Sequence, residues 1–529
     1  MVSICNEREG LMNRCEVYTI KETKVSRTAN LNGKRDLLRW EAIDWTVVEQ
    51  FINKAQTRIA KATAAGNKKL ARELQRMLTH SHYAKLWAIR KVTGNKGKRT
   101  AGVDKEKWET PAQKWQAVGK LNEKNYKAKP LRRVHIPKKN GKMRPLSIPT
   151  MTDRAKQALE ALALDPIIET TSDKHSFGFR KGRSSHDARA QLFNVMAKRA
   201  SAEWIVEGDI KACFDEIAHQ WLLQNTPMDK TVLKEFLKAG YVYERELFPT
   251  ERGTPQGGIA SPTLANHALN GLDKLLEETY KRKYERKDAT RRLVVPKVNL
   301  VRYADDFIIT ATTKEHAEQV KETVKAFMAV RGLQLSEEKT LITNIADGFD
   351  FLGWNFRKYN GKLLIKPSKK SQQSVLEKIR KVISQCTATT QDELIARLNA
   401  IIRGWSDYHR GTVASRVFAK MDNEIFKALW RWACRRHPHK GLRWIKARYW
   451  KTAGTRKWVF KDQDTLLLMA DTKIVRHTPL KLDKNPYIDR NYFYFRKMKL
   501  LADKNFGTAR KQMQAETGER SEDIHLCEA

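Results

Sequence analysis

Apolar residues recur at steps of three and four from Trp45 through Val48, Ile52, Ala55 and Ile59 to Ala62, with charged residues between them. That spacing predicts a helix with one buried stripe. Gly66 and Asn67 break it, and Leu70, Leu74, Leu78 and Leu86 predict a second helix over 68–92. The segment before them, 1–38, is polar and mixed, and is expected to be poorly ordered. The basic stretch 93–102, punctuated by glycines, reads as a loop. Further on, Val134–Ile136 and Pro145–Ile148 flank Lys138-Lys-Asn-Gly-Lys142, and the Asn140-Gly141 pair signals a hairpin. A helix is predicted over 152–168, then short apolar strands at 204–206 and 298–301, the second resuming at 307–310. Beyond 370 the pattern is entirely helical. Val375/Ile379/Ile383, Leu394/Leu398/Ile402/Trp405 and Phe418/Met421/Ile425/Leu429/Trp432 form three successive stripes, as in a small bundle. Strands in the middle and helices around them make the chain α+β.

Composition changes what such a chain is for. Across 529 residues, 102 Lys+Arg against 60 Asp+Glu leave a formal charge of +42, while 41% hydrophobic residues and 14 Trp supply real cores. A folded protein this cationic calls for a polyanion, nucleic acid first and an anionic membrane second. No apolar run reaches the length of a membrane span, and the first residues lack the apolar segment of a secretory signal. The six cysteines, Cys5, Cys15, Cys213, Cys386, Cys434 and Cys527, form no CxxC pair. That argues against a disulfide framework or a structural zinc site and fits a reducing compartment.

The candidate chemistry sits in Arg302-Tyr-Ala-Asp305-Asp306, between two apolar strand runs. Adjacent carboxylates there repel each other and lose water unless a cation takes up their charge. A hard divalent ion such as Mg²⁺ is the simplest relief. The pair alone also fits an ordinary tight turn. Trp204-Ile-Val-Glu-Gly-Asp209 supplies a second apolar strand ending in a carboxylate. If Asp209 and Asp305 met across neighbouring strands they could bridge two Mg²⁺ ions, the arrangement that in-line phosphoryl transfer needs.

At this point the motifs form an ordered series. They run Lys138…Arg144-Pro-Leu-Ser-Ile-Pro, Ser176-Phe-Gly-Phe-Arg-Lys-Gly, Gly208-Asp-Ile-Lys-Ala-Cys-Phe-Asp215 and Gly253-Thr-Pro-Gln-Gly-Gly. Tyr303-Ala-Asp-Asp306, Gly332-Leu-Gln-Leu-Ser-Glu-Glu-Lys-Thr340 and Phe351-Leu-Gly-Trp354 follow. The series resembles the reverse transcriptase/maturases encoded within group II introns. Arg403-Gly-Trp-Ser-Asp-Tyr-His409 and the helices around it resemble their maturase region.

The resemblance implies a right-hand polymerase fold: fingers, a palm with a small antiparallel sheet, a helical thumb and a basic C-terminal extension. It implies an N-terminal helical extension over 1–92, fingers over 93–200, palm over 201–370, thumb and maturase helices over 371–450 and a DNA-binding segment over 451–529. Asp209 and Asp305 would hold two Mg²⁺ ions with the backbone carbonyl of Ile210, and Asp306 would assist near the primer end. Lys138 and Arg144 would clamp the triphosphate of a dNTP, and Gln256 would touch nucleotide or template. Phe214 would lie under the incoming sugar and reject a 2′-hydroxyl, and Lys339 would contact primer phosphate. Asp215 reads as structural. Asp153, His186 and Asp187 are assigned no chemistry, and His135, His175 and His409 lack partners at metal-ligand spacing.

Residues 430–461 carry eleven Lys/Arg and no acid, with Trp430, Trp432, Trp444, Trp450 and Trp458 interleaved. Base stacking and phosphate contacts fit that mixture, with Arg431, Arg435, Arg436, Arg443, Lys446 and Arg448 as candidate contacts. The bland alternative is that the tryptophans plug the bundle and the charges are merely solvated. The resemblance implies an intron RNA as specific partner, a DNA target, and a bacterial cytoplasmic or organellar setting. Within 455–500, His477-Thr-Pro-Leu and Asn485-Pro-Tyr487 resemble the DNA-binding part. The end of the chain offers only His525 and Cys527 toward an HNH endonuclease, so second-strand cleavage is not expected. Two rival readings remain: an RNA-binding splicing cofactor with a silent polymerase site, and a reverse transcriptase serving defence or diversification without an intron.

Overall fold

The computed structural model describes residues 39–502 apart from 123–124, 138–140, 142 and 288–289, with backbone alone for 283–287, 290–292 and 294. The polar start (1–38), Lys138 and Asn140 of the hairpin, and the acidic end with His525 and Cys527 lie outside the described residues.

The first predicted helix is Trp45–Ala64, capped by the Asp44 carboxylate, which accepts the Thr46 and Val47 N–H groups. The second is two helices, Lys68–His80 and His82–Thr93, hinged at Ser81, whose backbone is extended. Thr79 to His82 offers no apolar side chain to continue the stripe. The break lets both halves turn their apolar faces to one partner, the helix Met151–Thr171. That helix is buried nearly all round, Asp153, Arg154, Gln157 and Glu160 included, with Met151, Ala155, Ala158 and Leu159 fully enclosed.

The hairpin read at 131–148 is Leu131–Pro137 against Met143–Ile148, and two short strands, Tyr241–Tyr243 and Glu246–Phe248, extend it to four. The central sheet has four antiparallel strands in the order Leu341–Asn344, Trp204–Asp209, Asp306–Ala311, Leu300–Tyr303. Alternation along these strands serves two cores. Val206, Phe307 and Ile309 pack below with the helices Ser261–Ala268 and Lys314–Ala329. Ile205, Val301 and Ile308 pack above with Phe177, Leu192, Trp354 and Phe356. Both faces are covered, and the aspartates stand at one end of the sheet.

A three-stranded sheet (Phe349–Phe351, Trp354–Tyr359, Lys362–Pro367) leads into the helical region, Lys369–Gln385, Gln391–His409 and Ser415–Arg436. The three stripes read from the sequence are its core. Motif residues form the joint between them: Trp354 is fully buried and stacks on Tyr408 at 4.5 Å, whose hydroxyl donates to the Leu352 carbonyl at 2.9 Å.

The all-helical expectation beyond 370 needs correction. After the helix Leu442–Tyr449 the chain forms a β-hairpin, Trp450–Ala453 with Arg456–Phe460. Trp450, Thr452, Trp458, Val459 and Phe460 are aromatic or β-branched, and Gly454 takes a left-handed φ of 59° at the turn.

From Lys473 onward the chain runs back across the molecule as a strap. The residues that carry the resemblance to a DNA-binding part make contacts with the protein here. His477 Nε2 lies 2.8 Å from Asp187 Oδ1, and Asn485 Nδ2 donates to Thr170 Oγ1 at 2.9 Å. Tyr487 is buried, its carbonyl accepting from Thr57 Oγ1 at 2.8 Å, while Arg490 Nη2 donates to the Asn53 carbonyl at 2.6 Å. The strap thus joins the first helix to the elements beside the central sheet. No described helix is long and apolar enough to cross a membrane.

Candidate active site at the end of the central sheet

The register brings the acids together. Trp204–Asp209 pairs antiparallel with Asp306–Ala311 so that Asp209 stands directly opposite Asp306. Opposed residues in an antiparallel pair project from the same face. Asp305 sits in the two-residue turn, Ala304-Asp305, that closes Leu300–Tyr303 onto Asp306–Ala311. All three carboxyls therefore occupy one end of one sheet.

Tight packing fixes that end. A Cβ on Gly208 would lie 2.0 Å from Phe307 Cζ, so the ring crosses directly over the glycine beside Asp209. Ala304 holds a left-handed φ of 58°, a conformation costly for a residue with a Cβ. Its surroundings enforce it. Gly178 approaches so closely that a Cβ there would lie 2.3 Å from the Ala304 nitrogen. Arg302, wholly buried, donates through Nη1 to the Ala304 carbonyl at 3.1 Å and to Asn266 Oδ1 at 3.2 Å. Desolvation lowers the Arg302 guanidinium to about 10, with the nearby Asp173 charge opposing the fall.

The electrostatics show a site short of positive charge. Loss of water, then the Asp305 and Asp209 charges, push the Asp306 carboxyl up to about 6, with Lys339 pulling the other way, although Asp306 itself remains exposed. Lys339 Nζ forms an ion pair with Asp209 Oδ2 at 2.8 Å, and that hydrogen bond raises the lysine pKa. The Ser336 N–H binds the Asp209 carbonyl at 2.8 Å, holding the segment that carries Lys339 against the strand. Three oxygen donors of hard character and one exposed lysine fit a divalent cation. Ile210, the expected carbonyl ligand, is buried and bridges to Leu335.

Arg144, Phe214 and Gln256 come from distant parts of the chain and meet. Arg144 Nε donates to Gln256 Oε1 at 2.9 Å, and Gln256 Nε2 donates to Asp215 Oδ2 at 3.0 Å. Asp215 lies in the short helix Cys213–Glu216 that carries Phe214, so its structural role is to anchor this wall. Phe214 is half-buried and edge-on to the exposed Phe179 at 6.1 Å. Beneath them Cys213 is a buried thiol, pushed up to about 12 by desolvation and then by the charges of Asp305, Asp215 and Asp209. Lys138 lies outside the described residues.

On the other side a cleft of about 750 Å³ opens from Asp306 toward the helical region, passing Lys370, Ser374, Lys378 and Gly404. Its basic side chains face the same end of the sheet as the acids.

Sequence reasoning did not find the Arg302–Asn266–Gly178 cradle or the Lys339–Asp209 pair. The available signal was an arginine in an apolar strand run, which has to find buried acceptors. His175 corrects another reading. Its Nδ1 lies 2.8 Å from Asp273 Oδ2, and with Glu277 it forms a group of three ligand atoms within 4.8 Å, partners about a hundred positions away. The Asp187 carboxylate, fully enclosed, caps the helix Ser185–Met196 and binds His477 and Arg496.

Of the basic candidates, Arg431, Arg435, Arg443 and Lys446 are exposed. Arg436 donates to the Thr389 carbonyl at 2.7 Å, and Arg448 lies 3.7 Å from Asp462. Trp432 and Trp450 are core, while Trp444 and Trp458 are 41% and 46% exposed.

Comparison with known proteins gives the same picture in three pieces. Residues 136–356 match the family model for reverse transcriptase (RNA-dependent DNA polymerase). Residues 40–121 match the N-terminal domain of reverse transcriptase, and 372–450 the group II intron maturase-specific domain. The group II intron-encoded protein LtrA of Lactococcus lactis is 34% identical over 328 residues, covering 51% of this chain and 54% of that protein. Protein YkfC of Escherichia coli K12 is 33% identical over 337 residues, covering 57% and 87%. Maturase-like protein 1 of Euglena gracilis is 24% identical over 379 residues, covering 69% and 76%. The chain thus spans about half the length of LtrA.

Proposed function

The chain belongs to the reverse transcriptase family whose members include group II intron-encoded proteins, and from that premise we propose that it is an RNA-directed DNA polymerase that binds its own intron RNA, assists its splicing and copies it into DNA. The observation that carries the reading is the register that sets Asp209 against Asp306 with Asp305 in the adjoining turn.

On this reading 1–92 form the N-terminal extension, 93–200 the fingers, 201–370 the palm, 371–450 the thumb and maturase helices and 451–529 the DNA-binding segment. Asp209, Asp305 and the Ile210 carbonyl would hold two Mg²⁺ ions, with Asp306 beside them. Bound there, such ions supply charge stabilisation at the attacking and leaving oxygens of an in-line displacement. The chain's own groups do the rest. Arg144, held by Gln256, and Lys138 bind the triphosphate of the incoming nucleotide. Phe214, anchored through Asp215, forms the floor beneath its sugar and leaves no room for a 2′-hydroxyl. Lys339, paired with Asp209 beside the acids, would meet primer phosphate. The cleft toward Lys370 and Lys378 receives the primer–template duplex.

Primer extension on an RNA template tests this directly. Asp305→Ala is expected to abolish DNA synthesis while leaving RNA binding in place. Full synthesis by that variant would remove the assignment. Wild-type protein that helps the intron splice but never extends a primer would favour the splicing-cofactor alternative.

A further inference from the structure

Trp458 is a bulky residue in a conformation such residues avoid. Its φ is +65°, in the left-handed region. The hairpin register explains the position. Lys451 pairs with Val459 and Ala453 with Arg456, so Thr452 alone faces both Lys457 and Trp458, a β-bulge. A bulge re-aims a side chain, and the residue usually found at a left-handed bulge position is glycine. Here the strain is spent on holding an indole outward, 46% exposed, on the rim of a cleft of about 200 Å³.

The cleft has the character of a stacking site. Phe426, Leu429, Trp450 and Leu467 line it with aromatic and aliphatic surface. The indole of Trp458 leans on Trp430 at 5.9 Å and on Phe426 at 6.3 Å, which fixes its plane. Lys446 Nζ stands 4.4 Å from the Trp458 ring centroid, and the exposed Lys457 adjoins it. The one acid in the wall, Asp422, is occupied by the N–H groups of Met469 and Ala470 at 2.8 and 2.9 Å. The volume is below the roughly 300–1,000 Å³ of drug-sized sites and suits a single planar heterocycle.

We propose that this cleft takes one unstacked base of single-stranded RNA, with Trp458 as its platform and Lys446 and Lys457 on the flanking phosphates. The occupant follows from charge and shape together: a flat aromatic surface ringed by cations, within a stretch, 430–461, that has eleven basic and no acidic residues. Folded RNA presents splayed bases in loops and bulges, whereas duplex DNA keeps its bases stacked. A base entering over the indole displaces the Lys446 ammonium by side-chain rotation and leaves it within reach of the phosphate. The inference rests on the RNA-binding reading above and places one contact of it.

The test uses the full-length protein and a single-stranded RNA oligonucleotide carrying 4-thiouridine. Irradiation followed by mass spectrometry is expected to find an adduct at Trp458 or a residue lining its cleft. Trp458→Gly, which suits the left-handed backbone, and Trp458→Ala should both weaken binding by roughly five- to a hundred-fold, and Trp458→Phe should restore most of it. Unchanged affinity in the glycine and alanine variants, with adducts elsewhere, overturns the cleft while leaving RNA binding intact. Wild-type protein that binds no RNA overturns the underlying reading. Equal competition by DNA of the same sequence overturns the choice of RNA, and a second copy of the chain found in the cleft by cross-linking overturns the occupant.

Discussion

Two of the three acids of the site depend on a small residue behind them. Gly208 admits the Phe307 ring and Gly178 admits the Ala304 turn, so the positions of Asp209 and Asp305 are set by what their neighbours lack. Gly208→Ala forces the ring or the strand to move. It is expected to cost about 1–3 kcal/mol of stability, as overpacking does, and to lower primer extension by displacing Asp209. Denaturant titration beside an extension assay checks it, and wild-type behaviour in both would show that the strand yields freely. The aspartates were legible because two charges in an apolar run are conspicuous. The supporting residues were not, because Asn266 joins Arg302 and Gly178 across 36 and 88 positions. The motif alone implies a phosphate contact for Lys339. Its pairing with Asp209 spans 130 positions and is a property of the fold.

Among elements, the joint between the central sheet and the helical region holds two imidazoles away from water. Burial lowers His409 to about 3 and His186 to about 4, the first packed on Trp354 and Trp405, the second on Trp354 and Tyr408. An unfolded histidine titrates near ~6.5. Between that value and the folded one the unfolded chain binds more protons, so stability rises with pH and is lost as pH falls from about 6.5 toward 4 and 3. The loss approaches ~1.4 kcal/mol per pH unit for each histidine. His409→Phe is expected to flatten the fall in melting temperature between pH 6.5 and 4.5. An unchanged slope would place the acid sensitivity elsewhere. The strap makes a second prediction. Arg496→Ala leaves the fully enclosed Asp187 carboxylate with His477 as its remaining strap partner and should cost about 3–5 kcal/mol. Denaturant unfolding of the single variant and of Arg496→Met with Asp187→Asn measures it, the pair being expected to recover part of the loss. The stripes of the helical region were readable in full, since a period of three to four names its own buried face. The hinge at Ser81 and the hairpin after Tyr449 were not, because each is decided by what the segment packs against.

For the whole molecule the governing quantity is the charge of +42. If Arg431, Arg435 and Arg443 each neutralise one RNA phosphate, replacing all three by alanine should make the log–log salt dependence of binding shallower by about 2, at roughly 0.7 per phosphate on single strands. Filter binding across a salt series reads that slope, and an unaltered slope would mean these exposed arginines stay in solvent. Composition predicts a polyanionic partner but not the path of the chain. The strap's bonds to Asn53 and Thr57 join residues more than 400 positions apart. They fix a timetable for biosynthesis. A ribosome adding about 5–20 residues per second delivers Tyr487 roughly 20–90 s after Thr57, a separation of 430 positions. Through that interval the nascent amino-terminal helices stand without the fastening that Tyr487 and Arg490 supply.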